Sequence, residues 1–213
     1  GNPIAIGVWA GSLDPRTGLR PYANPDRAII NGIINSQLAD FYGLPNFGFA
    51  GCPDSKLPDA QAGAEMMMIT LVNTLSGVTL MHDCGYLASG SVGSLAMAVI
   101  ADEICGMVKE FLKPLEVSEK TLALDVIEEV GPGEHFMAHR HTLEHLNEVY
   151  MPKLFDRNFL EVWKERVGRD VYSLAKERAK KLLREREVEP LPKEIEERVK
   201  EIRKEFESKY VTS

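Results

Sequence analysis

The strongest constraint on the fold of this chain is the stretch from Pro45 to Gly93, PNFGFAGCPDSKLPDAQAGAEMMMITLVNTLSGVTLMHDCGYLASGSVG. Phe47 to Ala50 is short, aromatic and bounded by glycine, as a buried strand is. Val78 to Met81 is a second such run and ends abruptly in His82-Asp83-Cys84. Between them, Asp59 to Ser76 is too long for a strand and sets Ala62, Met66, Ile69, Val72 and Leu75 at helical spacing. Strand, helix, strand implies a right-handed parallel crossover. In parallel sheets, chemistry collects in the loops beyond the carboxyl ends of the strands. Here those loops are Gly51 to Lys56 and His82 to Tyr86.

The flanking sequence extends the pattern. Pro3 to Ala10 alternates Ile4, Ile6 and Val8 against Ala5, Gly7 and Trp9, predicting a strand. Asn24-Pro25 opens a helix that runs to Tyr42, with Ile29, Ile33, Leu38 and Phe41 toward the core, and Gly43 stops it. Ser91 or Ser94 caps a third helix that reaches about Leu112. Three strand–loop–helix units without a hairpin signal predict a parallel α/β sheet. Further helices are expected over Ser118–Val130, Thr142–Tyr150 and Leu160–Glu187, the last carrying Trp163, Val167, Val171, Leu174 and Leu182. A final helix follows, with Ile195, Val199, Ile202 and Phe206. Charge marks the same division: the first 100 residues hold four Lys/Arg and seven Asp/Glu, and the remainder holds 21 and 25. The expected organisation is an α/β unit over 1–115 and a helical region over 116–213.

Composition narrows the function. A net charge of −7 with no basic stripe argues against a nucleic-acid partner. Polar residues interrupt every apolar stretch before it reaches membrane-spanning length, so no membrane partner is expected. The start lacks a leader-like block, and the three cysteines are odd in number without C-x-x-C spacing. Reduced thiols in a cytoplasmic protein are the expectation.

GCPDSKLPDAQAGAE followed by a strand and LASG, with DEICGMVKEFL at 102–112, ALDVIEEVGPGEHFMAHRHTLEHL at 123–146 and PKLFDR at 152–157, resembles the trimethylamine methyltransferase superfamily. That group includes the glycine betaine:corrinoid methyltransferases. The resemblance implies the carboxyl-terminal portion of a TIM (β/α)8 barrel, followed by a helical tail. It also implies a methyltransferase moving a methyl group from a methylated or quaternary amine, such as glycine betaine or trimethylamine, to a corrinoid carried by a partner protein. The trimethylamine branch uses pyrrolysine, whereas every residue here is standard. Partial barrel units leave a strand edge and apolar surface open, so a homo-oligomer is expected. The alternative is a non-catalytic family member that binds a ligand or the corrinoid protein as an oligomer.

Candidate site residues follow from the predicted rim. His82 is the leading substrate contact, set against a core-edge histidine bonded to a backbone carbonyl. Asp83 and Tyr86 share its loop. Asp54 and Ser55 belong either to the pocket rim or to a turn that satisfies itself. Trp9 and Phe47 offer aromatic faces for a quaternary ammonium, with Asp14, Asp54 and Asp83 as carboxylates and Lys56 as the nearby cation. Asp59 reads as a helix cap, and Glu65 as a surface residue or a partner of Lys56. His135, His139, His141 and His145 form a weaker metal alternative at helical spacing. Packing of the Gly131–His141 loop is the preferred role for them, so no directly bound metal is expected.

Overall fold

The Gly-bounded aromatic run forms a strand because its neighbours on both sides offer parallel partners. In this computed structural model, which describes residues 4–165, 168–187 and 189–211, strand β1 (Phe47–Phe49) pairs in parallel with β2 (Leu80–His82). The register sets Phe47 opposite Leu80 and Phe49 opposite His82. Ile6 makes a single parallel bridge to Asn46 on the other side of β1. The expected strand over Pro3–Ala10 is therefore reduced to that bridge (Gly1 to Pro3 lie outside the described residues). The helix α3 (Ala60–Leu75) makes the crossover, and Asp59 caps it by accepting from Ala62 N at 3.0 Å. The parallel strand–helix–strand reading of Pro45–Gly93 holds.

Alternation along the strands assigns the two faces of this sheet. Gly48 and Met81 face the helices: Gly48 lies against Val78 and Asn31, and the Met81 sulfur meets Thr74 of α3. Phe47, Phe49, Leu80 and His82 lie on the other face.

The first helix corrects the sequence reading. It runs as α1 (Pro25–Ala28), a π-helical segment (Ile29–Ile34) and α2 (Asn35–Tyr42), and ends at Gly43 in a left-handed conformation, φ 62°. Its buried face is Arg27, Ala28, Asn31, Gly32, Asn35, Ser36 and Ala39, while Ile29, Ile33 and Phe41 are exposed. Close approach explains the inversion. A Cβ on Gly32 would sit 2.7 Å from the Asn73 side-chain oxygen, so only glycine lets this helix meet α3. Polar side chains on this face then reach the β1 segment: Asn35 Nδ2 donates to the Phe47 carbonyl at 3.0 Å, and Ser36 Oγ accepts from Asn46 Nδ2 at 2.8 Å. Bulky isoleucines could not reach these partners.

A short antiparallel hairpin, β3 (Tyr86–Leu87) with β4 (Val92–Gly93), overturns the absence of hairpins. Ser94 caps the next helix, α4 (Leu95–Phe111), whose buried Met97, Ile100, Ala101 and Ile104 join Ala62, Met66 and Leu87 in the main core. The buried carboxylate of Glu103 accepts from Tyr150 OH at 2.7 Å, Lys153 N at 2.9 Å and Leu154 N at 2.8 Å. It thereby anchors the segment after residue 149 onto α4.

The helical region is more broken than its periodicity predicts. Ser118 and Thr121 form a capping box for α5 (Glu119–Leu122). Ala123 in the left-handed region (φ 47°) then separates α5 from α6 (Leu124–Val130). The expected Thr142–Tyr150 helix is α7 (Arg140–Glu144) followed by a 3-10 turn. Leu160–Glu187 divides into α8 (Leu160–Glu165) and α9 (Val171–Glu185), and Val167 lies outside the described residues. Compact units comprise Gly1–Ala179 and Lys180–Ser213. In the second, α10 (Lys193–Tyr210) carries one-turn ion pairs such as Arg203 with Glu207 and Lys209 with Glu205. Its Ile195, Val199, Ile202 and Phe206 are exposed.

Candidate active site

Residues two apart on a strand share a face, so Phe47 and Phe49 present their rings together and His82 joins them from β2. The His82 ring stacks on Phe47 with centroids 4.1 Å apart and planes 11° from parallel. Trp9 stacks on the same imidazole at 5.9 Å and meets Phe49 edge-on at 4.6 Å. Trp9 is half exposed, so this aromatic face opens at that end. His82 Nδ1 lies 2.8 Å from Asp83 Oδ1. Because a carboxylate only accepts, Nδ1 carries the hydrogen, and Nε2 is left buried without a partner. Asp83 holds this position in the left-handed region, φ 70°, which aspartate tolerates better than most residues.

Sequence reasoning missed a cation here. Arg27, on α1, is buried with its guanidinium 4.1 Å from the Tyr22 ring centroid and 5.6 Å from that of Phe49. Its Nη1 donates to Pro21 O at 3.1 Å. Lys56, the expected cation, donates instead to the Asp54 carbonyl at 2.8 Å. The available signal was an arginine in the first turn of a helix that opens onto the same loops. What hid it was the expectation that isoleucines formed the buried face.

Asp54 and Ser55 take the turn role. Asp54 accepts from Tyr22 N at 2.7 Å, Ala23 N at 2.9 Å and Ser89 Oγ at 2.5 Å, joining three loops through one buried carboxylate. Ser55 bonds Asp59 Oδ1 and Leu57 O, and its carbonyl accepts from Ala88 N at 2.8 Å. These bonds hold Ala88 and Ser89 at positive φ, 52° and 55°. Glu65 is no surface bystander, since its carboxylate accepts from Asp54 N at 2.7 Å and Ser55 N at 3.2 Å. Asp14 is taken by Arg16, whose guanidinium holds its carboxyl down at about 2. Tyr86 is exposed on β3, outside the stacked rings.

The histidine cluster divides among separate partners. His139 accepts from His141 N at 3.1 Å and lies 3.4 Å from Glu129, His141 Nε2 lies 3.3 Å from Lys120 O, and His145 Nδ1 meets Glu148 at 2.7 Å. His135 is exposed just before a 3-10 turn. Among the described residues, no three histidine, cysteine or carboxylate groups converge as a metal site. One-turn spacing brought His141 and His145 into a 4.3 Å stack, but carboxylate and carbonyl partners fix the rings individually.

The model for trimethylamine methyltransferase (MTTB) matches residues 1–208. The chain belongs to this family. It is 34% identical over 192 residues to a trimethylamine methyltransferase MttB of Methanosarcina barkeri, covering 88% of this chain and 39% of that protein. It is 31% identical over 210 residues to MttB of Desulfitobacterium hafniense, covering 99% and 42%. A glycine betaine methyltransferase of Desulfitobacterium hafniense is 38% identical over 165 residues, covering 76% and 34%. The chain thus spans about two fifths of the length of the curated trimethylamine relatives it matches. No helix among the described residues is long and apolar enough to cross a membrane.

Proposed function

We propose that this chain is part of a methylamine methyltransferase, that its sheet belongs to a (β/α)8 barrel, and that the face carrying Trp9, Phe47 and His82 holds the methylated amine. The observation that carries the reading is the His82 ring, stacked on Phe47, tied to Asp83 through Nδ1 and unpartnered at Nε2. The methyl acceptor is a corrinoid brought as cargo by a partner protein; its reduced cobalt supplies the nucleophile that displaces the amine at the methyl carbon. An ammonium donor leaves as a neutral amine, so the protein has little acid–base work. Its contribution is to orient the donor and exclude water. The faces of Trp9 and Phe47 favour a methylated cation, with about 2 kcal/mol available from a desolvated cation–π contact. Arg27 already occupies the Tyr22 end of the aromatic group, which leaves the Trp9 end for the donor. A zwitterion such as glycine betaine also needs a partner for its carboxylate, and Arg27 is the cationic candidate on this face.

The test is a methyl-donor panel with cob(I)alamin as acceptor, read by methylcobalamin formation, alongside calorimetry with trimethylamine, glycine betaine, choline and an uncharged neopentyl analogue. Methylated ammonium compounds should bind better than the neutral analogue, and His82→Ala should lower that response by more than it lowers the melting temperature. Asp83→Asn should weaken binding in the same direction, because a neutral amide oxygen accepts from Nδ1 less strongly than the carboxylate does. A folded chain on which none of the amines binds would remove this reading. Equal losses in binding and stability for His82→Ala would return His82 to a core-edge role.

A further inference from the structure

The apolar side chains of α10 all fall on one stripe. Ile195, Val199, Ile202 and Phe206 recur at spacings of four, three and four residues. Tyr210 continues the row, its ring centroid 4.9 Å from that of Phe206. This alternation is the repeat of a seam between two paired helices. Each of these side chains is about half exposed or more, and among the described residues none of α10 is buried. A helix of 18 residues is marginal in water on its own, so a stripe of this kind is stabilised by a cover. The charges beside the stripe define the cover. One flank carries Glu196 and Arg203, and the other carries Arg198 and Glu205. α10 holds six acidic and six basic side chains in all, without the basic excess of a helix that lies on an anionic membrane.

We propose that α10 pairs antiparallel with α10 of a second copy of this chain. Setting Val199 against Ile202 of the other helix also brings Ile195 against Phe206, so a single register covers the whole seam on both helices. That register places Glu196 beside Arg203 of the other copy and Arg198 beside Glu205 of the other copy. Two-fold symmetry makes each ion pair twice. A parallel pair would instead set Arg198 beside Arg203 of the other copy, a like-charge contact also made twice. The flanking charges therefore complement a second copy of the same helix and fix its direction. Within one helix, Glu196 pairs with Lys200, Arg198 with Glu201, Arg203 with Glu207 and Glu205 with Lys209. These pairs are exposed and weak, so the flank charges exchange readily onto partners across the seam. The contact belongs to the second compact unit, Lys180–Ser213.

The experiment mixes isotopically heavy and light copies of the full chain, from micromolar to millimolar concentration. It treats them with difluorodinitrobenzene, a short lysine cross-linker, and maps the links by mass spectrometry. Lys193 and Lys209 lie about 24 Å apart along one helix, beyond the reach of this reagent, but meet across the antiparallel pair. Heavy–light links between Lys193 and Lys209 are therefore expected, and links from Lys209 to Lys209 are not. Two double variants then test the charges. Arg198→Glu with Arg203→Glu makes both flanks acidic, and Glu196→Arg with Glu205→Arg makes both basic. Each variant alone should lose the Lys193–Lys209 link, and a mixture of the two should restore it between unlike copies. Both should keep the helix content of the wild-type chain by circular dichroism; if either does not, the wild-type links decide alone. Links from Lys209 to Lys209, α10 links only to lysines of the first unit such as Lys109, or no heavy–light link on α10 at millimolar concentration would each overturn the proposal. So would folded charge variants that keep the link when unmixed.

Discussion

Single side chains do the joining in this molecule, and Glu103 shows how. Its carboxylate satisfies a tyrosine hydroxyl and two successive backbone N–H groups from a segment some fifty residues away. Glu103→Ala leaves all three donors without their acceptor. It should cost about 2–4 kcal/mol in denaturant unfolding, whereas an exposed carboxylate such as Glu116 should cost about 0.5 kcal/mol or less. The pair also has a pH signature. Burial, followed by the hydrogen bond to Glu103, raises Tyr150 to about 12. The folded state therefore holds the tyrosine proton more tightly than the unfolded state does. Its contribution is complete below pH 10 and is lost as pH rises toward 12. Tyr150→Phe should flatten that part of the profile; an unchanged slope would contradict the assignment.

At the scale of elements, the segment from Pro25 to Tyr42 shows how a helix can turn its apolar stripe outward. A hydrophobic stripe predicts burial when a helix packs through large side chains, but this one packs through Gly32, Asn35, Ser36 and Ala39. Substitutions separate the two faces. Gly32→Ala should cost about 1–3 kcal/mol, because its methyl group meets Asn73 and overpacks the contact with α3. Ile33→Glu should stay within about 0.5 kcal/mol. The reverse ranking in thermal unfolding would mean that the isoleucines pack inward after all. The π-helical register over Ile29–Ile34 belongs to the same contact, since it lies where Asn31 and Gly32 are buried.

For the whole molecule, the deciding feature is the apolar surface that the first unit leaves exposed. Ile29, Ile33 and Phe41 on one helix, and Leu80 on β2, are all exposed. Among the described residues, β2 pairs only with β1, leaving strand hydrogen-bonding groups on its outer side. This chain should therefore associate with itself at micromolar concentration, and light scattering should give a mass above that of 23.7 kDa. Leu80→Lys should shift the equilibrium toward the monomer without unfolding it. A well-folded monomer at those concentrations would contradict this expectation.

Local chemistry determined much of what the sequence alone reveals. Asp59 and Ser94 cap their helices, Gly43 ends one, and two short apolar runs flanking an amphipathic helix become parallel strands. Each depends on residues within a few positions of one another, so each is legible in a single stretch. The motif string that carries the family resemblance is equally local, and the family match confirms it. Position along the chain marks His82 as a strand-end residue and Phe47 and Trp9 as aromatic residues in or just beyond the strands, and tertiary structure brings their rings into one stack. Arg27 over Tyr22, Asp54 joining three loops and Glu103 holding residues 150–154 were decided only by packing. In each, groups 5 to 51 positions apart act together. Sequence periodicity reports which face of an element is apolar. Which face is buried depends on how closely the neighbouring backbone approaches, and at Gly32 that approach overruled the pattern.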